Sequence, residues 1–117
     1  MSTSKIRIAR EVSEKIRDHL PNITDSETPP HLLKYSYFEG YGMVGFVEHG
    51  RSDRKYDVVE LIIRSVGDGY YSTSVLRPRN DGDEWNWFEE TEEGQVFVVW
   101  ERVTPVPQTR YVWKSEE

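Results

Sequence analysis

Two hydrophobic rhythms divide this chain, one helical near the start and one strand-like over the rest. In residues 4–20, Ala9, Val12, Ile16 and Leu20 recur at spacings of three, four and four, with Ile8 on the flank of the stripe. That spacing predicts one amphipathic helix with its apolar face against a sheet. Ser4 is placed to cap it and Pro21 to stop it. The charged residues Arg7, Arg10, Glu14, Lys15, Arg17 and Asp18 fall on its solvent side. Residues 21–31 (PNITDSETPPH) are polar and proline-rich and read as a linker.

From residue 32 the period shortens to two, and turn residues punctuate it. Strands are expected at about 32–39, 42–49, 56–66, 70–78, 84–90, 95–104 and 109–114. The Gly40-Tyr41-Gly42 break reads as a bulge in one long bent strand. Asp68-Gly69 is the residue pair a two-residue type I′ turn favours. That turn sets Ile62 against Val75, Leu61 against Leu76 and Glu60 against Arg77, giving an apolar inside and a wet outside.

A second hairpin is expected to join residues 84–90 to 95–104. With a loop of two or four residues, Trp85, Trp87 and Trp100 share one face, and Phe88, Phe97 and Val99 the other. Prolines before 109–114 make that last strand an edge. The fold class is therefore α+β: a single domain, 1–117, with an N-terminal helix on a strongly twisted antiparallel meander of about six or seven strands. A half-barrel around the helix is the rolled form of such a sheet.

Composition narrows the function classes. Fifteen Lys and Arg against 21 Asp and Glu leave a formal net charge of -6, which favours a basic or neutral partner over nucleic acid or anionic membrane. The chain has no cysteine, which excludes disulfides, thiolate metal sites and a cysteine nucleophile. No apolar run has signal-peptide or membrane-span length, so a cytoplasmic location is expected.

No catalytic fingerprint is present, and none of His19, His31 and His49 lies at metal-ligand spacing with another; His49 with Asp53 and Asp57 is better explained as turn chemistry. The chain is read as a non-enzyme without cofactor or metal. Asp83, Glu84, Glu89 and Glu90 beside a tryptophan have the makings of a glycosidase pair, but solvated strand-end charge accounts for them more simply. Arg51, Arg54, Lys55, Arg77 and Arg79 near aromatics resemble a single-strand platform, yet the tryptophans sit among carboxylates that repel phosphate.

The densest signal is residues 81–94, DGDEWNWFEETEEG, with seven carboxylates, two tryptophans and no basic residue. It predicts a protein-binding surface: Trp85 and Trp87 as anchors, with Asp83, Glu84, Glu89, Glu90, Glu92 and Glu93 steering a basic partner. A small acidic inhibitor or immunity-type protein, aimed at a nuclease or defence enzyme, is the expected function. The alternative is a small-molecule binder whose pocket between sheet and helix is walled by Tyr35, Tyr37, Tyr71 and Trp100. Edge strand 109–114 offers a third outcome, a homodimer.

Overall fold

The computed structural model describes residues 5–24, 27–29, 32, 36–51, 55–65, 69–80, 82, 84–87, 96–106 and 112–115. Its elements are β1 (Lys5–Ala9), α1 (Arg10–His19), β2 (Tyr37–Phe38), β3 (Tyr41–Arg51), β4 (Tyr56–Ser65), β5 (Gly69–Pro78), β6 (Asn86–Trp87), β7 (Phe97–Val106) and β8 (Val112–Ser115). All strand pairings are antiparallel and form one sheet in the order β1-β7-β5-β4-β3-β2, with β6 attached to β5 and β8 to β7. The sheet curls into a half-barrel with α1 packed against it, the α+β arrangement expected.

The helix is shorter than residues 4–20. Lys5–Ala9 forms a strand against Phe97–Glu101, because KIRIA alternates polar and apolar and sends Ile6 and Ile8 to one face. The turn into the helix comes at Ala9, which has extended backbone and no side-chain cap. Its first free donor is satisfied by the turn before β7 instead: Arg10 N–H bonds to Val96 O at 2.8 Å. At the other end the chain turns extended at Leu20 and runs into Pro21. Val12, Ile16 and Leu20 keep the predicted inward stripe, joined by a fully buried Ser13.

Two of the predicted turns differ in detail. Phe38 pairs with Tyr41, so Glu39 and Gly40, with φ of 51° and 85°, make a two-residue hairpin turn and not a bulge. Ser65 pairs with Gly69, so three residues separate β4 from β5 where two were expected. That odd difference moves every β5 side chain to the opposite face. Leu61 lies across from Thr73, and Val59 from Val75; Glu60 lies across from Ser74, while Arg77 lies across from Asp57.

The core sits between the concave face and α1. Ile8, Ile16, Met43, Val59, Leu61, Ile63, Tyr71, Val75, Trp87, Val98 and Trp100 pack together there. A smaller cluster of Val44, Val47, Ile62, Val103 and Trp113 lies apart from it, with Ile23 and Tyr70 against it. Register shifts in β3, between Met43 and Gly45 and between Glu48 and Gly50, let that strand feed both clusters.

Residues expected to be a plain linker do structural work. Pro21 O accepts from Phe46 N–H at 2.8 Å, Ile23 N–H donates to Phe46 O at 2.9 Å, and Asn22 bridges Phe46 in parallel. This strap crosses β3 at Gly45, where a Cβ would stand 2.8 Å from both Pro21 O and Ile23 Cγ2. Only glycine admits such an approach.

Candidate functional site

The acidic segment grows from a place where the sheet divides. β7, with β1 along its other edge, pairs with β5 only over Tyr70–Ser72, leaving the next part of the β5 edge to another strand. β6 fills it, with Trp87 across from Val75 and Asn86 across from Leu76. The hairpin expected between 84–90 and 95–104 is therefore replaced: among the described residues β6 pairs with β5, and β7 takes β1 as its neighbour. Sequence proximity favoured the local pairing; β1 instead covers the other edge of β7, where Lys5 and Glu101 lie 3.5 Å apart.

The three tryptophans nonetheless meet. Trp87 is 5% exposed and Trp100 is fully buried in the main core, and Trp85 is half-buried against it. Because Val75 faces the core, its cross-strand neighbour Trp87 must as well. Arg17 of α1 closes over both indoles, its guanidinium 5.0 Å from the Trp85 ring centre and 6.0 Å from that of Trp87. Such stacks contribute about 0.5–2 kcal/mol, more as the cation loses water, and the Arg17 side chain is only 14% exposed. Asp18 Oδ1 lies 3.2 Å from its Nε. Nothing in the sequence marked Arg17 for this role, since its helical position reads as solvent-facing.

Glu84, directly before this root, is exposed. Asp83, Glu89, Glu90, Glu92 and Glu93 lie outside the described residues. Val96, directly before β7, and Phe97, its first residue, are 60% and 41% exposed. Of the residues expected to anchor a partner, Trp87 is thus a core residue, and Trp85 is half-covered by Arg17. Both were expected to serve as contacts only if they stood in water; the Val75 pairing keeps Trp87 out of it.

Of the alternative pocket residues, Tyr71 and Trp100 are brought together, in the core. Tyr37 is 59% exposed on β2, and Tyr35 lies outside the described residues. Trp113 of edge strand β8 packs edge-on against Tyr70 at 5.2 Å, so its ring is occupied within the chain. β8 itself pairs with β7 through Val103–Val106.

Two polar clusters flank the β3–β5 region. Arg77 Nη1 bonds Glu48 Oε1 at 2.9 Å, and Asp57 receives Arg79 Nε at 2.9 Å and Arg77 Nη2 at 3.6 Å. The Arg79 hydrogen bond is the largest influence and holds the Asp57 carboxyl below its usual 3.8, with burial opposing it and the Arg79 charge and Arg77 adding to it. These two arginines, candidates for a nucleic-acid platform, are thus already neutralised. Glu60, expected to face Arg77, instead meets His49 at 2.8 Å. Among the described residues no three His, Asp or Glu side chains are grouped to hold a metal ion, and no helix is long and apolar enough to cross a membrane.

The chain matches no protein-family model, and comparison with curated proteins and with solved structures likewise gives no match.

Proposed function

We propose that this protein is a non-catalytic interaction module that binds a basic site on a target protein through the acidic segment 81–94. A small inhibitor or immunity-type role fits this chemistry, with the substrate cleft of a nuclease or defence enzyme as the kind of site engaged. The supporting observation is the rooting of the segment: Trp87 is buried in the core and Trp85 lies under Arg17, while the adjacent Glu84 is exposed. A rooted base reduces the entropy lost when a partner docks. The charge of residues 81–94, seven carboxylates and no base, speeds encounter with a cationic surface and rejects anionic ones. In this reading the tryptophans fix the segment to its own protein, and the carboxylates make the contact.

The test compares wild-type protein with a Glu89→Lys, Glu90→Lys, Glu92→Lys, Glu93→Lys variant as immobilised bait, with calorimetry on any basic protein retained. The wild-type Kd should rise at least about tenfold as salt increases from low to above physiological strength, and the variant should bind at least about a hundredfold more weakly. A partner held equally well by both proteins would remove the acidic segment from the reading.

A further inference from the structure

Glu60 carries a carboxylate that is 10% exposed, on the face of β4 that it shares with Ile62. A buried carboxylate needs a charge or donors close by. His49 Nε2 supplies one at 2.8 Å, from a side chain that is 44% exposed. His49 sits in the second register shift of β3, between Glu48 and Gly50, where Gly50 takes a φ of 104°.

The preceding residue, Glu48, is the hub of a second knot. Its Oε1 accepts from Asn22 Nδ2 at 3.2 Å and Arg77 Nη1 at 2.9 Å, and its N–H donates to Thr24 Oγ1 at 2.7 Å. One irregular stretch of β3 therefore ties the strap that follows α1 on one side and the Glu60 carboxylate on the other.

We propose that the His49–Glu60 pair is a pH-sensitive latch on the 21–24 strap, closed while His49 is protonated and loosened when it is not. Loss of the proton removes the countercharge from Glu60 and weakens the hold on the β3 segment that positions Glu48. The strap in turn fixes the end of α1, the helix whose Arg17 covers Trp85.

The hydrogen bond to Glu60 raises the His49 pKa above its usual 6.5, with the Glu60 charge adding to it and burial opposing it. The contribution of the pair is therefore complete below 6.5 and lost as pH rises through the raised value. Other charged groups at this end of the sheet are Glu48 and Arg51 on β3, Asp57 on β4, Arg77 on β5 and Arg79 directly after it. Carboxylate, ammonium and guanidinium groups ordinarily titrate outside the interval from about pH 6 to about pH 9. His19, on the exposed end of α1, is the other described histidine and is separated from the latch by mutation.

Hydrogen exchange read by mass spectrometry, corrected for intrinsic rates, tests this. The amides of Ile23, Phe46 and Glu48 should lose about threefold or more of their protection between about pH 6 and about pH 9. His49→Gln keeps a donor without the titration and should flatten the change; Glu60→Gln should do the same if the first variant folds poorly. A pH effect that persists in both variants, or is missing from the wild type, overturns the latch.

Discussion

Trp100 Nε1 donates a 3.2 Å hydrogen bond to Ser13 Oγ, joining the most buried ring of β7 to the buried face of α1. Ser13 Oγ in turn lies 3.5 Å from Ile8 O, at the end of β1. A tryptophan can be fully buried only if its N–H finds an acceptor, and here the helix carries it in. The N-terminal strand and helix and the distant strand β7 thus converge on one hydroxyl.

Ser13→Ala should therefore cost about 1–3 kcal/mol, the usual penalty for leaving a buried donor unpaired. Chemical denaturation would show a lower midpoint at unchanged slope. A neutral outcome would mean that Trp100 finds another acceptor and that helix docking does not depend on this bond.

Gly45 is the second position where packing leaves no latitude. Gly45→Ala places a methyl 2.8 Å from Pro21 O, a backbone atom that no rotamer change can move. The expected loss is about 1–3 kcal/mol, with faster exchange at Ile23 and Phe46 as the strap lifts from β3. Wild-type stability in this variant would show that the strap is not held against the strand.

Asp57 sets an acid-side dependence. Its carboxyl is held below 3.8 by Arg79 and Arg77, so the stability it contributes is present above that value and lost as pH falls through the lowered one. Denaturation midpoints across acid pH should drop less steeply in Asp57→Asn than in wild type. Identical profiles would mean the two arginines stabilise the β3–β5 end without this carboxylate.

Much of the architecture was legible in the sequence. Val12, Ile16 and Leu20 face inward as their spacing requires, and the central strands fall close to their predicted limits. What failed was pairing. Asp68-Gly69 suggested a two-residue loop, and since Val75 and Leu76 are both apolar, the pattern did not reveal the odd shift that buries Val75 and sets it across from Val59. KIRIA was absorbed into the helix because Ile8 extends the helical stripe as well as the strand alternation. The acidic segment was conspicuous by composition, but its root depends on β5 having an unpaired stretch of edge, which is decided by where β7 leaves it. Arg17 over Trp85 depends on how the helix crosses the sheet, and no local pattern encodes that.

The central claim is that the aromatic pair inside the acidic segment belongs to the protein's own core. Its most direct measurement is fluorescence quenching by a neutral quencher in single Trp→Phe variants at 85, 87, 100 and 113, and in Arg17→Ala. Trp87 and Trp100, 5% and 0% exposed, should be protected, and Trp85 should become more accessible once Arg17 is removed. Ready quenching of Trp87 in the otherwise unaltered protein would contradict the account, placing that indole in water among the carboxylates as a contact surface.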